Sequence, residues 1–316
     1  MIEIAIIGFG NHVAKNILPA MSRLKGISVE SVYVRETAKY SDKALSYNLT
    51  IKHIDESIDD DVEWVYISTP ISTHYDLASK YLKLGKNVIC EKPLTDSLEK
   101  TKELLELSES KGVRLHEVCM YQFHKQYEHL RNFISNNANS LKCLTARFAI
   151  PHLAKDDIRY AKALGGGALL DVGYYPVSLL VSLFGKPNNI KATKFSEDGY
   201  DVDLFGSAIF EYDDFYCIAE WGIGLPYFNE VTAITENTVI KYDRAFSKPE
   251  TFSTKAQIRK GFDSSETDIG CDDQFVNMFK SILLGDSSLR ADVNGSVLCL
   301  SEILEDLSQT VIDGNE

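Results

Sequence analysis

The chain opens with Ile2-Glu-Ile-Ala-Ile-Ile-Gly8-Phe9-Gly10-Asn11-His12-Val13, an apolar, branched run that glycine ends at position 8. Such a run predicts a strand buried on both faces, as in a parallel sheet, and helical periodicity follows over residues 13–24. The first glycine of such a turn allows a tight bend, and the second lets backbone approach a pyrophosphate. Val13 stands where a third Gly or Ala is usual, so the dinucleotide-binding pattern is incomplete, and a simple strand–helix turn would use glycine too.

Alternating strands and helices continue outward from this turn. Residues 29–34, 62–68 and 87–90 read as strands, and residues 75–84 and 97–111 read as helices. This alternation predicts right-handed βαβ units and a doubly wound parallel α/β sheet. We expect a Rossmann-type NAD(P)-binding domain over residues 1–118.

The pattern changes after residue 118. Strand-like runs rich in aromatic and branched residues lie at 140–151, 189–193, 207–212, 216–221 and 231–242. A hairpin is expected at Tyr212-Asp-Asp-Phe215. Helices are expected only at residues 168–183, 272–284 and 291–312. Residues 119–316 are therefore predicted to form an α+β domain with a largely antiparallel open sheet.

Composition excludes several classes of protein. The 316 residues carry a formal net charge of −13, which repels a phosphate backbone, so a nucleic-acid partner is not expected. The six cysteines contain no CxxC pair, so we expect reduced thiols and no metal site. With no signal-peptide pattern and no long apolar run, a cytoplasmic protein without membrane association is expected.

The end of the second strand bears on the choice of cofactor. An acidic residue there accepts hydrogen bonds from a ribose 2′-hydroxyl, whereas arginine pairs with a 2′-phosphate. The sequence reads Val34-Arg35-Glu36, with Lys39 beyond. We expect NADP(H) to be preferred, with NAD(H) still possible; a solvated surface charge pair is the alternative reading.

Two further segments carry candidate catalytic groups. Glu91-Lys92-Pro93 follows a strand at the carboxyl edge, where ligands bind in open α/β sheets. Asp171 and Tyr175 follow a run of three glycines and are four residues apart, so a helix would place them on one face. A nearby ammonium lowers the pKa of a phenol, which suits Tyr175 to acid–base work. An exposed turn lysine and a packed tyrosine are the plain alternatives.

The ordered set of motifs resembles the Gfo/Idh/MocA (glucose–fructose oxidoreductase, inositol dehydrogenase) family. It comprises Gly8-x-Gly10, Ser68-Thr69-Pro70 with His74, Glu91-Lys92-Pro93, and the segment from Gly165 to Gly173. The resemblance covers nearly the whole chain and implies hydride transfer between a nicotinamide and a sugar-like alcohol or ketone. The cofactor-binding residues expected from it and from the glycine turn are Gly8, Phe9, Gly10, Asn11, His12, Val13, Arg35, Ser68, Thr69, Pro70, His74, Glu91 and Lys92.

The resemblance also implies catalytic roles. Lys92 is similar to the family's catalytic lysine and Asp171 to its conserved acid. Many members place a histidine four residues after that acid. Tyr175 is instead similar to the branch with nucleotide-sugar 3-ketoreductases and dihydrodiol dehydrogenases, where tyrosine is the proposed proton donor. Arg159, Asp171 and Tyr175 are the expected substrate-binding residues. Ile71 and Gln122 depart from the family's usual asparagine and arginine.

Residues 203–206 and 244–249 look most like nucleotide-sugar ketoreductases, so a nucleotide-linked keto-sugar is the first expectation for the substrate. A free sugar, polyol or trans-dihydrodiol is the alternative within the enzymes. A dinucleotide-binding regulator without turnover is the alternative of another class. The resemblance also implies a homodimer or homotetramer formed through the C-terminal sheet, and a site in the cleft between the two domains.

Overall fold

A computed structural model of the protein describes residues 1–285 and 293–313. The chain divides into two compact units. The first holds Met1–Val118 and, from the far end of the chain, Phe275–Asn294; the second holds Cys119–Gln274 and Gly295–Glu316. Each unit is built around its own sheet, as the alternating and then strand-rich halves of the sequence predict.

The first unit contains a six-stranded, wholly parallel sheet. Its strands are β1 Ile2–Ile7, β2 Ile27–Val34, β3 Thr50–His53, β4 Trp64–Ile67, β5 Asn87–Cys90 and β6 Leu115–Glu117. The order β3-β2-β1-β4-β5-β6 is that of a doubly wound dinucleotide-binding fold. The predicted Rossmann architecture is confirmed.

Helices lie in four of the five connections between these strands, and a loop without a helix joins β3 to β4. The helices are α1 Leu18–Ser22, continuing a π-helical turn at Val13–Ile17, then α2 Thr37–Ser46, α3 His74–Lys83 and α4 Leu98–Lys111. Central strands β1 and β4 are buried on both faces, with Ile4, Ile7 and Tyr66 all at 1% exposure or less. Their apolar runs are therefore continuous rather than alternating, as is usual for covered parallel sheets.

Helix α7, Gln274–Leu284, departs from the expected domain division, because from Phe275 it belongs to the first unit. The Phe279 ring meets the Tyr66 ring edge-on at 5.8 Å, and the Arg114 guanidinium donates to the Ile282 carbonyl at 3.1 Å. These contacts join residues far apart in sequence, so a boundary drawn from local pattern alone misses them.

The second unit contains a nine-stranded, mostly antiparallel sheet, and the predicted α+β class is confirmed. Its order is β14-β13-β12-β11-β7-β10-β9-β8-β15, and only the pairs β7–β10 and β8–β15 are parallel. The strands are β7 Leu141–Ile150, β8 Asn189–Phe195, β9 Phe205–Glu211, β10 Tyr216–Ile223, β11 Phe228–Thr235, β12 Thr238–Asp243, β13 Thr254–Lys260, β14 Asp263–Gly270 and β15 Ile312–Asp313.

Three helices pack with this sheet: α5 Lys125–Asn136, α6 Tyr174–Phe184, which continues a π-helical turn at Leu169–Gly173, and α8 Val293–Gln309. Within the described chain, one helical stretch, Lys162–Phe184, is long and apolar enough to cross a membrane by length and composition. Its mean hydropathy is 1.4 and 67% of its window is buried in the protein. A buried core helix passes the same test, and Leu179 and Leu180 lie in the core of this unit.

Several element predictions were wrong or incomplete. Residues 231–242 form two strands rather than one, because the chain reverses after Thr235, whose hydroxyl accepts from the Thr238 N–H at 3.1 Å. Helix α5 and the hairpin β13–β14 were not predicted. The predicted 212–215 hairpin is present, with Tyr212 N–H donating to the Phe215 carbonyl at 3.0 Å. Residues 291 and 292 of the last predicted helix lie outside the described residues.

Candidate functional site

The candidate cofactor half-site is the carboxyl edge of the parallel sheet. Backbone bonds there continue past the strand ends and hold three loops side by side: Gly8 N to Tyr33 O at 2.8 Å, Ser68 N to Ile7 O at 2.8 Å, and Glu91 N to Ile67 O at 2.9 Å. A ligand on this edge therefore meets the glycine turn, the Ser68 loop and the Glu91–Lys92 loop together.

Gly8 is required by this arrangement. Its φ is +93°, and a Cβ there would lie 2.1 Å from the carbonyl oxygen of Ser68. No side chain fits that space, so the β1 and β4 loops can approach each other only at glycine. Gly10, in contrast, is exposed, and a Cβ there would meet no atom within 4 Å.

The other residues of the turn have different surroundings. Val13 is fully buried, and Phe9 is 2% exposed. Phe9 therefore offers only its backbone to a ligand. Asn11 is exposed beside Gly10. The open side of Gly10 and the helical start after it leave a surface that fits a pyrophosphate.

The end of β2 carries exposed positive charge. Arg35 is exposed, and no described residue hydrogen-bonds or ion-pairs with its side chain. Sequence reasoning missed Lys43 on α2, whose ammonium donates to the carbonyls of Phe9 and Gly10 at 3.3 and 3.1 Å. Burial, and to a lesser degree Lys15, lowers the pKa of Lys43. Its position one turn after Lys39 on a helix is the signal that could have pointed to it.

Glu91 is the centre of a hydrogen-bonded group. Its carboxylate accepts from the Tyr66 hydroxyl and lies 3.0 Å from His12 Nε2. Burial raises the pKa of Glu91, but His12, the Tyr66 hydroxyl and Lys92 outweigh it and lower the pKa to about 2. Glu91 is thus a carboxylate at neutral pH and ties the glycine turn to the loop that carries Lys92.

His74 links the loop that carries Thr69 to the loop that carries Lys92 and Pro93. Its ring is 1% exposed, and its two nitrogens lie 2.9 Å from the carbonyl oxygens of Pro93 and Thr69. Burial lowers the pKa of His74. Because both ring nitrogens face backbone, we assign His74 to positioning these loops rather than to contact with a ligand. Lys92 itself is partly exposed at the carboxyl edge.

The second unit positions Asp171 and Tyr175 through a capped helix start. The Asp203 carboxylate, 8% exposed, accepts from the Leu169 N–H at 2.8 Å and from Trp221 Nε1 at 3.1 Å. A Cβ at Gly167 would lie 2.5 Å from Asp203 Oδ1. The glycine run therefore lets Asp203 reach the helix start, and a π-helical turn replaces the α-helical spacing expected between Asp171 and Tyr175.

Arg159 and Asp171 are paired with each other. Arg159 Nε donates to Asp171 Oδ2 at 2.5 Å, and its Nη1 donates to Asp157 Oδ1 at 3.1 Å. Asp171 chiefly, against burial, raises the pKa of Arg159. Two carboxylates offset this cation, so the structure does not support the expectation that Arg159 holds an anionic substrate group.

Tyr175 lies against an aromatic wall. Its ring centroid is 5.2 Å from that of Phe148, 5.8 Å from that of Phe246 and 6.3 Å from that of Tyr121. Tyr175 remains partly exposed while Tyr121 is buried. The wall fixes the ring and leaves the side chain within reach of solvent, as a proton donor to a bound substrate requires.

The predicted site residues thus fall into two groups. In the first unit, Gly8, Gly10, Ser68, Glu91 and Lys92 come together at one sheet edge. In the second, Asp171 and Tyr175 share one helical segment with Arg159 beside it.

Comparison with known proteins defines the class. Residues 2–118 match a family model described as "Oxidoreductase family, NAD-binding Rossmann fold", and residues 139–238 match one described as "GFO/IDH/MocA C-terminal domain". Together with the sheet order and the glycine turn, these matches define an oxidoreductase with a nicotinamide-dinucleotide-binding Rossmann domain. The chain belongs to the Gfo/Idh/MocA family, and the resemblance stated from its motifs is confirmed.

Two relatives are each named for the compound on which they act. The dTDP-3,4-didehydro-2,6-dideoxy-alpha-D-glucose 3-reductase of Streptomyces violaceoruber is 32% identical over 66% of this chain and 62% of that protein. The trans-1,2-dihydrobenzene-1,2-diol dehydrogenase of Xenopus laevis is 31% identical over 64% of this chain and 63% of that protein. Each match therefore spans less than two thirds of the relative. The crystal structure of KijD10, a 3-ketoreductase from Actinomadura kijaniata, in complex with NADP and TDP-benzene has the same fold. Its TM-score is 0.89 at 22% identity, over 97% of this chain and 96% of that one.

Proposed function

We propose that the protein is an NADP(H)-dependent reductase of a nucleotide-linked keto-sugar. The observation that carries the proposal is the pair of prepared half-sites: Lys92 beside the glycine turn at the sheet edge, and Tyr175 fixed by an aromatic wall on the second unit. The 3-reductase named among the relatives acts on a dTDP-linked sugar. That name supports the choice of substrate class for this chain.

The residues at the sheet edge fit a nicotinamide dinucleotide. The open Gly10 and the helical start after it would hold the pyrophosphate, while Ser68, Thr69 and Pro70 would line the neighbouring loop. Arg35, with Lys39 and Lys43 on the next helix, would pair with a 2′-phosphate, which favours NADP(H) over NAD(H). When bound, the reduced cofactor supplies a hydride to a carbonyl carbon.

The chain's own residues supply the proton and the charge stabilisation. As the carbonyl oxygen gains negative charge, the Tyr175 hydroxyl donates its proton to it, which yields the alcohol. The Lys92 ammonium would stabilise that charge and the phenolate that remains. Asp171, which accepts from Arg159 Nε, would orient a substrate hydroxyl.

A second candidate is the oxidation of an uncharged sugar, polyol or trans-dihydrodiol, which the dihydrodiol dehydrogenase among the relatives favours. It would use the same residues in reverse, with the Tyr175 phenolate accepting the alcohol proton. A regulator that binds dinucleotide without turnover has no need of Lys92 and Tyr175 together. The presence of both residues in this chain therefore favours an enzyme.

The test is a hydride-transfer assay with NADPH and a panel of substrates. We expect NADPH oxidation with a TDP-linked 3-keto-deoxyhexose and much slower oxidation with the same keto-sugar lacking the nucleotide. Reduction of NADP⁺ by a trans-dihydrodiol alone would favour the second candidate. NADPH binding with no turnover of any member of the panel would contradict both enzymatic proposals.

We also propose that the protein is cytoplasmic.

We propose further that copies of the protein associate through the second sheet. The edge strand β14 is exposed from Asp263 to Asp268, and Phe262 at the tip of the β13–β14 hairpin is fully exposed. Exposed edge strands are templates for pairing with another chain. A second copy of this chain packed on the hairpin would cover both features.

A further inference from the structure

We infer that Arg244 forms an anion-binding subsite for the phosphate groups of the substrate. The inference rests on the proposed function and deepens it, because it assigns a second-unit residue to the charged part of a nucleotide-linked sugar.

The loop that carries Arg244 is held by one buried asparagine. Asn229 on β11 is 1% exposed, and its amide donates to the Ser247 carbonyl at 3.0 Å and to the Tyr227 hydroxyl at 3.1 Å. Its side-chain oxygen accepts from the Phe246 N–H at 2.8 Å. The Ala245 N–H donates to the Asn229 backbone carbonyl at 3.1 Å. One residue thus fixes both the loop and Tyr227.

Arg244 is held in an unusual backbone conformation by these bonds. Its φ is +46°, a region that non-glycine residues seldom adopt. Such conformations persist only where surrounding structure imposes them, and they cluster at ligand clamps and active sites. A turn required only for chain reversal would be served better by glycine or asparagine.

The Arg244 side chain lies between two aromatic rings. Its guanidinium carbon is 5.4 Å from the Tyr227 ring centroid and 5.1 Å from that of Phe252. Within residues 1–285 and 293–313, no carboxylate pairs with this guanidinium, and the residue is partly exposed. Rings on both sides restrict the side chain without neutralising its charge, so less entropy is lost when an anion binds.

The subsite faces the same aromatic wall as the proposed proton donor. Phe246, two residues after Arg244, has its ring 5.8 Å from that of Tyr175. Two residues of backbone span at most about 7 Å. Phe148 contacts both Tyr175 and Tyr227, with ring centroids at 5.2 and 6.4 Å. Arg244 therefore lies close enough to Tyr175 for one substrate to place its carbonyl at Tyr175 and its phosphate groups at Arg244.

Other cations near this wall are already engaged. Arg159 is paired with Asp157 and Asp171, and Arg147 pairs with Glu220 and Glu230 on the sheet. Lys248 is buried and donates to the Ala245 carbonyl. The charge of Arg244 is thus available to an anionic ligand, whereas the charges of these other side chains are engaged within the protein. A planar guanidinium recognises phosphate oxygens in pairs, which matches the diphosphate of a nucleotide sugar and has no counterpart in an uncharged polyol or dihydrodiol.

The test is calorimetric titration of the NADP⁺-loaded protein with TDP and with inorganic pyrophosphate, before and after Arg244→Gln. A charge-assisted bond of this kind predicts about a 10- to 100-fold weaker Kd for TDP, with NADP⁺ binding unchanged. Arg244→Gly suits the positive φ, so an equal loss there excludes misfolding as the cause. Arg131→Gln removes an exposed arginine on α5 and should leave the Kd for TDP unchanged.

The outcomes separate this inference from the proposed function. If Arg244→Gln binds TDP as tightly as the wild type, or if the wild type binds neither TDP nor pyrophosphate, the subsite is wrong even where keto-sugar turnover is found. If TDP binding depends on Arg244 but no keto-sugar is reduced, the subsite is supported and the proposed reaction fails. In an active enzyme, Arg244→Gln should raise KM for the nucleotide-linked sugar much more than it lowers kcat.

Discussion

Gly8 and Glu91 show how single residues organise the candidate cofactor site. Gly8 has no room for a Cβ beside the Ser68 carbonyl, so any substitution must separate the β1 and β4 loops. Glu91 joins His12 on the glycine turn to Tyr66 in the sheet while its neighbour Lys92 is presented at the edge. Both residues fix the backbone of the loops at this sheet edge, where we propose that the cofactor binds.

Arg35 is expected to decide between the two dinucleotides. Arg35→Asp should weaken NADPH binding by about 10- to 100-fold more than NADH binding, because only NADPH carries the 2′-phosphate. Fluorescence titration of each reduced cofactor measures the ratio. Lys25→Asp changes charge equally at the opposite end of β2 and should leave the ratio intact. Equal losses for both cofactors in Arg35→Asp would rule out the assignment.

Lys248 should make stability depend on pH. Burial lowers its pKa to about 7, against the opposing effect of Asp272. Between that value and the pKa of about 10.4 in the unfolded chain, the unfolded state binds a proton that the folded state does not, so stability rises with pH. From pH 7 to 9 the wild type should gain about 2 kcal/mol relative to Lys248→Met.

Urea denaturation at the two pH values measures this difference. The exposed Lys260→Met serves as the control, and its free energy of unfolding should change between the two pH values by the same amount as that of the wild type. An equal change in the free energy of unfolding for Lys248→Met and the wild type would show that the pKa of Lys248 is not lowered in the folded protein.

At the scale of elements, Asp203 supports the helix that carries Tyr175. Asp203→Ala would leave the Leu169 N–H and Trp221 Nε1 as buried donors without acceptors, at a cost of about 3 kcal/mol. We expect a lower melting temperature together with a reduced kcat, since the turn bearing Asp171 loosens. Asp203→Asn keeps an acceptor oxygen and should retain most of both. Similar behaviour of the two variants would contradict the capping role.

The elements that sequence reasoning recovered are those with a strong local signal. Strands β1 and β5 were predicted with their observed bounds, because apolar runs ended by glycine or proline leave little choice. Hairpin β13–β14 was missed because most of β14 is exposed, so no alternation of polar and apolar residues marks it. Helix α5 was missed because polar residues outnumber its buried positions Gln126, Leu130 and Ile134.

Candidate site residues divide in the same way. Lys92 and Tyr175 could be proposed from their motifs, and the structure places them on well-supported segments. The pairing of Arg159 with Asp171 could not, because it depends on how a loop folds back on a helix start. Lys43 and Arg244 were missed as ligand-binding candidates because their surroundings come from residues distant in sequence.

For the whole molecule, the net charge of −13 must be reconciled with the two anionic ligands proposed for it. A chain with this charge repels both a dinucleotide and a nucleotide sugar at long range. The structure offers local exceptions, with Arg35 and Lys43 beside the glycine turn and Arg244 on the second unit. Affinity for both ligands should therefore depend on a few cations.

Self-association should depend on the β13–β14 hairpin. The wild type is expected to sediment as a dimer or tetramer, and Phe262→Glu should shift it toward the monomer because a charge would be buried at the contact. Leu45→Glu alters an exposed leucine on α2 of the first unit and should have no effect. Sedimentation velocity measures all three proteins. A monomeric wild type at micromolar concentration would rule out the proposed assembly.

The turnover of Tyr175→Phe with NADPH and a TDP-linked keto-sugar tests the central claim, that Tyr175 is the proton donor in a nicotinamide-dependent reduction. The variant removes one hydroxyl and keeps the ring against its aromatic wall. We predict a fall in kcat of about 10²- to 10⁴-fold with the Kd for NADPH nearly unchanged. A variant that keeps the kcat of the wild type would contradict the account.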